Sequence, residues 1–467
     1  MIGGITCNEE PVHRTIPMKR LLILGGSDAG ISAALRAKEI APDVEVVMAL
    51  SDRYPNFSIC GLPFFISGEV ADWRRLAHRS VGEIEGHGIR VLLEHRAESI
   101  DPHKKQVNIS ADDGRKHIVE YDRLLLGTGA VSTQPPIEGL DLPGVFFLRC
   151  MEDGFEIQGF LLEKKVKCAV IIGGGYIGME MADALTYRGI EVTVIEYTES
   201  VLTTVDTTLG QCIREELEQH GVRVITGTAV KAIDLRNDQL IVKGSEDLNI
   251  QTDMVLVAAG CRPSVELAKI AGVGIGSYGA IKVNREMKTN LPDVFAAGDC
   301  AETWHRILEK YAYLPLGTTA HKQGRVAGEN MAGGKAWYSG SLGTQVVKIF
   351  DLVAARTGLR DKEAVASGFE PLTVQCETWD HKAYYPGTKK MRIRITGDRK
   401  NHLLLGAQIL GHRNSEVSKR IDVYATALFH RMKMEELNDL DLSYTPPLSS
   451  PWDPIQIAAQ TWLNVVG

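Results

Sequence analysis

The chain of 467 residues, 44% apolar and 24% charged, has the make-up of a globular protein of roughly three domains. Its formal net charge of −7 supplies no basic field for polyphosphate backbones, which argues against nucleic acid as a partner. No apolar run approaches the roughly 20 residues that cross a bilayer, and Met1–Pro17 lacks a signal peptide's apolar core, so a cytoplasmic protein with no membrane span is expected.

In chain order, residues 1–17 read as a flexible leader. Arg20–Leu24 is a short apolar strand that enters the turn Gly25-Gly26-Ser27-Asp28-Ala29-Gly30, and an alanine-rich helix follows from Ile31 to Ile40. Such a turn lets backbone N–H groups approach a pyrophosphate, and the helix N-terminus adds about half a positive charge there. Gly25 and Gly30 hold the outer glycine positions, while Ser27 stands at the middle one. The segment Tyr54–Gly68 then carries Cys60, and Thr128-Gly129 lies further on.

The same grammar recurs at the strand Cys168–Ile172, the turn Gly173-Gly174-Gly175-Tyr176-Ile177-Gly178 and a helix from Met179 to Arg188. Gly173, Gly175 and Gly178 complete G-x-G-x-x-G, and the next strand, Glu191–Ile195, ends at Glu196, placed to take the ribose hydroxyls of NAD. A 2′-phosphate would be repelled by Glu196, so NADH is expected over NADPH. Two strand–turn–helix units imply two nucleotide-binding domains. Gly260-Cys261-Arg262-Pro263 follows, then Thr289–Cys300, read as a strand ending in Gly298-Asp299. Beyond Gly334 come strand-like runs at Gln345–Phe350 and Lys390–Ile395, helical stretches from Ser415 to Met434, and a proline-rich end, Tyr444–Pro454, which together read as an α+β domain.

The eight cysteines, Cys7, Cys60, Cys150, Cys168, Cys212, Cys261, Cys300 and Cys376, form no CxxC pair and no zinc-like spacing, so structural disulfides and a metal site are not expected. Apart from Cys60, and Cys7 in the leader, they read as small buried hydrophobes.

This order of motifs, from about Lys19 to the C-terminus, resembles the FAD- and NAD-linked pyridine nucleotide-disulfide oxidoreductases. The resemblance implies an α/β protein with two Rossmann-like domains and a C-terminal α+β dimerisation domain. The FAD-binding domain would be discontinuous, at 18–150 and 273–334, with the NAD-binding domain at 151–272 and the dimerisation domain at 335–467. FAD would meet Gly25, Gly26, Ser27, Asp28, Gly30, Thr128, Gly129, Gly298 and Asp299. The nicotinamide cofactor would meet Gly173, Gly175, Tyr176, Ile177, Gly178, Glu196 and Gly260. Relatives end the second strand of the FAD unit with a carboxylate for the adenosine ribose, where this chain has Leu50.

Ser58-x-Cys60-Gly61-Leu62-Pro63 resembles the active-site segment of the single-cysteine branch: coenzyme A disulfide reductases above all, with NADH peroxidases, water-forming NADH oxidases and persulfide reductases. Two-cysteine relatives carry a second cysteine five positions on, which here is Phe65, so the oxidised state of Cys60 should be a mixed disulfide or a sulfenic acid. Peroxidases and oxidases place a histidine where this chain has Asp28. Coenzyme A disulfide reductases use tyrosines of the partner subunit, and Tyr444 with one of Tyr384 or Tyr385 falls in the matching segments, as proton donors to a leaving thiolate. Ser32 and Arg36 stand at substrate-contacting positions of the first helix, whereas Ile59 and Glu39 depart from the coenzyme A pattern. The expected function is NADH-driven, FAD-dependent reduction of a small disulfide or persulfide through Cys60 in a homodimer. The alternatives are an NADH oxidase or peroxidase cycling through a Cys60 sulfenate, and a flavoprotein electron donor to a redox partner protein.

Overall fold

A computed structural model describes residues 20–466; the leader and Cys7 lie outside the described residues. Two five-stranded parallel sheets repeat one design. In the first, the strand order is Val294–Ala296, Arg123–Leu126, Arg20–Leu24, Glu45–Ala49, Ile89–Leu92. In the second it is Arg223–Ile225, Glu191–Ile195, Cys168–Ile172, Met254–Val257, Val145–Phe146. The central strands Leu21–Leu24 and Ala169–Ile172 are buried at nearly every position, as strands covered on both faces must be.

Each glycine turn therefore leaves the strand from which the chain winds outward to both sides. Such a switch point opens a crevice at the carboxyl ends of the strands. The late strand Val294–Ala296 completes the first sheet, and Val145–Phe146, within the stretch assigned by sequence to the first unit, pairs in the second. Thr128-Gly129 and Gly260–Pro263 meet where strand Ala130–Ser132 pairs antiparallel with Cys261–Pro263, and the Thr128 hydroxyl donates to the Ser264 carbonyl at 2.7 Å.

The third layer is a five-stranded antiparallel sheet in the order Gln345–Ile349, Leu352–Gly358, Leu404–His412, Lys390–Asp398, Pro371–Trp379. Helices Val417–Phe429 and Pro454–Val466 pack on it, burying Tyr424 and Trp462 completely. Two features depart from the sequence reading. A three-stranded antiparallel meander, 95–120 in one unit and 230–252 in the other, was not foreseen. The segment read as a strand over 289–300 is extended in the sheet only at Val294–Ala296. Among the described residues no helix is long and apolar enough to cross a membrane.

Candidate active site

The loop bearing Cys60 is held from three sides. The Asn56 N–H donates to the Gly26 carbonyl at 2.9 Å, tying the loop to the first glycine turn. Asn56 is buried with φ of 56°, a left-handed conformation that asparagine tolerates better than most residues. The Ser58 N–H donates to Leu76, and Tyr54, Phe57, Trp73 and Phe155 interlock with ring centroids 5.2 to 5.8 Å apart. Cys60 occupies the 3-10 turn Ile59–Gly61 just ahead of helix Leu62–Ser67, which packs on helix Tyr176–Tyr187 of the second unit.

Cys60 is exposed as a residue, yet protein mass around its sulfur pushes the thiol pKa up, and the charges of Glu180, Asp28 and Asp299 push it further, against the opposing pull of Arg149. The charges of three carboxylates thus act on the thiol against that of one guanidinium. Asp299 is paired with Arg149 at 2.6 Å, and its own carbonyl accepts from the Tyr313 hydroxyl at 2.9 Å. Burial lifts the Glu180 carboxyl to about 7, with Lys348 opposing and Asp183 reinforcing the rise. Asp183 is itself held by Lys348 Nζ at 2.6 Å and by the Phe350 N–H.

Glu180, Arg149 and His321 are site residues that sequence reasoning missed. Glu180 left a signal: a single carboxylate inside the apolar run Gly178-Met179-Glu180-Met181-Ala182, flanked by residues that the helix buries. Arg149 and His321 left none, because their partners are remote in sequence. His321, on helix Gly317–Met331, reaches Asp28 with Nε2 at 3.2 Å from Oδ1 and meets the Ser32 hydroxyl with Nδ1 at 2.7 Å. An imidazole absent from the first glycine turn is thus brought to it from another helix.

The glycine turns close as their spacing requires. An added Cβ at Gly30 would run into the Gly25 carbonyl oxygen, and one at Gly178 into that of Gly173, so helix and strand can approach only without side chains there. The corresponding strand ends then diverge. Glu196 accepts from the Gly174 N–H at 2.6 Å and from the Thr198 N–H at 2.8 Å, whereas Leu50, in the first unit, packs its buried side chain over Gly26. Gly298, with φ of 83°, donates its N–H to Gln323 at 2.8 Å and sets Asp299 at the mouth of the first crevice. Open glycine turns at two switch points, with helix N-termini facing them, fit one dinucleotide each.

Other expected site residues lie apart from Cys60. Arg36 is bound by Glu329 at 2.5 Å and Glu39 at 2.7 Å, so its charge is already countered by carboxylates of the chain itself. Tyr384 and Tyr444 are exposed, Lys382 lies 6.0 Å from the Tyr444 ring, and Tyr385 turns its ring toward His381. Among the described residues no hydrogen bond or ring contact links these tyrosines to Cys60. Of the cysteines read as buried hydrophobes only Cys300 is fully buried; Cys150, Cys168, Cys212, Cys261 and Cys376 are half-buried, since they lie at element ends or on half-exposed faces.

Residues 19–324 match the family model described as pyridine nucleotide-disulphide oxidoreductase, and residues 344–454 match that family's dimerisation domain. The chain is 36% identical over 445 residues to the NAD(P)H sulfur oxidoreductase (CoA-dependent) of Pyrococcus furiosus, covering 95% of this chain and 98% of that one. It is 29% identical to the coenzyme A disulfide reductase of Staphylococcus haemolyticus, over 94% of this chain and 98% of the relative. The solved structure of an NAD-dependent persulfide reductase from A. fulgidus superposes with a TM-score of 0.92 at 34% identity, covering 96% of this chain and 83% of that chain.

Proposed function

The chain belongs to the pyridine nucleotide-disulphide oxidoreductases, and from that premise we propose that it reduces a small disulfide or persulfide, of the coenzyme A disulfide class, with NADH as the electron source. One observation carries the reading: the loop of the single active-site cysteine is tied to the first glycine turn by Asn56 N–H to the Gly26 carbonyl, and the helix that follows Cys60 packs on the helix of the second glycine unit. FAD, held at the first crevice, supplies the means of passing two electrons from NADH to sulfur.

The chain's own part is to bind, orient and manage protons. Gly25 to Gly30 and Asp299 border the first crevice; Gly173 to Gly178 and Glu196 border the second, where the Glu196 carboxylate suits ribose hydroxyls and disfavours a 2′-phosphate. The Cys60 thiolate attacks the sulfur–sulfur bond of the substrate, expelling one sulfur as a thiolate and forming a mixed disulfide; cleavage of that bond by two electrons, with one proton, regenerates the Cys60 thiolate and frees the second sulfur as a thiol. Tyr384 and Tyr444 would serve the Cys60 of a partner subunit by orienting or protonating the departing thiolate. The seven free cysteines among the described residues suit a reducing compartment, which supports a cytoplasmic setting.

The test is anaerobic NADH titration with mass measurement of the intact chain, alongside Cys60→Ser. Release of a thiol-sized mass from Cys60 on reduction, with turnover lost and FAD retained in the variant, is the expected result. Full disulfide or persulfide reduction by Cys60→Ser overturns the mechanism. A second reading, NADH oxidase or peroxidase, gains weight from the imidazole of His321 beside Asp28; loss of one oxygen from Cys60 on reduction, with stoichiometric consumption of oxygen or peroxide, selects it.

A further inference from the structure

Two stretches of the third layer carry exposed tyrosines outside any helix or strand. Residues 380–389 join strand Pro371–Trp379 to strand Lys390–Asp398 and present Tyr384 and Tyr385. Residues 439–453 lead from helix Met434–Asn438 to helix Pro454–Val466 and present Tyr444. Pro386, Pro446, Pro447 and Pro451 lack the N–H that a ladder would use, so both stretches depend on other partners for their backbone groups. The stretches touch one another directly, the Lys382 N–H donating to the Pro446 carbonyl at 3.3 Å.

Beneath both lies Arg420 of helix Val417–Phe429, its side chain only 7% exposed. Nη2 donates to the Asp380 carbonyl at 2.8 Å, at the root of the first stretch, and in the second to the Leu448 carbonyl at 3.5 Å and Asp453 Oδ2 at 3.3 Å. Nη1 donates to the Ser415 carbonyl at 2.6 Å, just ahead of its own helix. Two buried carboxylates complete the frame. Asp380 accepts from the Lys389 N–H at 3.0 Å and from the Ser415 hydroxyl at 2.7 Å, which closes the first stretch at its far end. Asp453 accepts from the Ser449 hydroxyl at 2.7 Å and from the Ile455 N–H at 3.0 Å, which joins the second stretch to the helix that follows. A guanidinium holds its donors in a rigid planar fork, so one side chain can fix both stretches at once, whereas an ammonium donates from a single point.

We propose that Arg420 is a positioning residue: with Asp380 and Asp453 it clamps the two stretches in a fixed relation, so that Tyr444 and Tyr384 or Tyr385 present their hydroxyls as a set to the Cys60 of a partner subunit. The inference rests on the reading of those tyrosines as the groups that orient or protonate the departing thiolate. Arg420 touches neither substrate nor sulfur and acts through the placement of the tyrosines. A buried ion pair seldom adds stability over apolar packing of the same volume, so what the charge contributes here is the specific tie between two irregular stretches. Loss of the fork frees the Asp380 and Leu448 carbonyls and leaves the Asp453 carboxylate buried without its cation, which lets the stretches move against one another. Both glycine turns belong to other sheets, so entry of electrons from NADH does not depend on the clamp.

The experiment compares FAD-loaded wild type with Arg420→Lys, which keeps the buried charge but not the fork. Hydrogen–deuterium exchange should rise together in the peptides covering 380–389 and 444–453 and stay at the wild-type level in strand Leu404–His412. Anaerobic reduction of the flavin by NADH should keep its rate, while kcat with coenzyme A disulfide falls roughly tenfold. In a background of Tyr384→Phe, Tyr385→Phe and Tyr444→Phe, adding Arg420→Lys should cost no further turnover, an outcome that a general loss of structure would not give. Should Arg420→Lys fail to fold, Asp453→Asn, which removes the charge of the partner carboxylate, is read by the same measurements with changes in the same direction. Unchanged exchange in either stretch, a wild-type kcat, or an equal loss of turnover in the Phe background overturns the clamp. Full turnover by the triple Phe protein instead overturns the tyrosine reading and leaves the exchange result standing.

Discussion

Glu180 shows how one side chain ties the site to stability. Its carboxyl is lifted to about 7 in the folded chain from its ordinary value of 4.5, burial being the main cause. A group whose pKa is raised on folding contributes stability that is fully present below the unfolded value, 4.5, and is lost as pH rises through about 7. Glu180→Gln removes that titration. Between pH 4.5 and about pH 8 the wild type should therefore lose on the order of 2 kcal/mol more folding stability than the variant, read from denaturant unfolding at matched FAD content. Equal slopes for the two proteins would show that Glu180 is not the group that titrates. The same residue has a consequence for chemistry: as it ionises, its charge adds to those of Asp28 and Asp299 and works against formation of the Cys60 thiolate.

Among the elements, the glycine turns were legible in the sequence because a strand–turn–helix junction without side chains is a local requirement, satisfied by a few adjacent residues. Helix starts were read late, at Ile31 and Met179, because Asp28 and Tyr176 already lie in the first turn of their helices, before any apolar period is visible. Helix Pro454–Val466 was hidden behind its prolines, although Pro454 stands at the helix's first position, where its missing N–H costs nothing. The meanders escaped because strands such as Lys116–Glu120, mostly exposed, carry no clear alternation. The contact between Ser32 and His321 was beyond sequence reasoning, since the two are 289 residues apart. The end of strand Glu191–Ile195 carries its own prediction. Glu196 both accepts from Gly174 N–H at 2.6 Å and presents the charge that disfavours NADPH. Glu196→Ala should raise the KM for NADH roughly tenfold, as loss of a charge-assisted hydrogen bond would, and narrow the preference over NADPH, with kcat at saturating NADH little altered. An unchanged NADH to NADPH ratio of kcat/KM would remove Glu196 from cofactor selection.

For the whole molecule the open question of geometry is how the tyrosines of the third layer reach a cysteine of the first. Within one chain they form a separate group: Tyr384 is 74% exposed, Leu448 69% and Trp452 53%, an apolar surface on the unit that matches the family's dimerisation domain. Contact between two copies through that surface would bury these side chains and bring Tyr384 and Tyr444 of one copy toward Cys60 of the other. A mixed dimer separates this arrangement from any site made within one chain. In a dimer of one Cys60→Ser chain and one Tyr444→Phe chain, one site across the interface has lost both groups, while the other keeps an intact Cys60 and an intact Tyr444. Purified through two different tags, such a dimer should recover about half of wild-type turnover, whereas each homodimer stays low. Were Cys60 served by the tyrosine of its own chain, neither site of the mixed dimer would be whole and no recovery would be seen. Complementation thus tests the assembly itself, because Cys60 lies in the turn Ile59–Gly61 and Tyr444 in the segment matched to the dimerisation domain, with no hydrogen bond or ring contact between them within a chain.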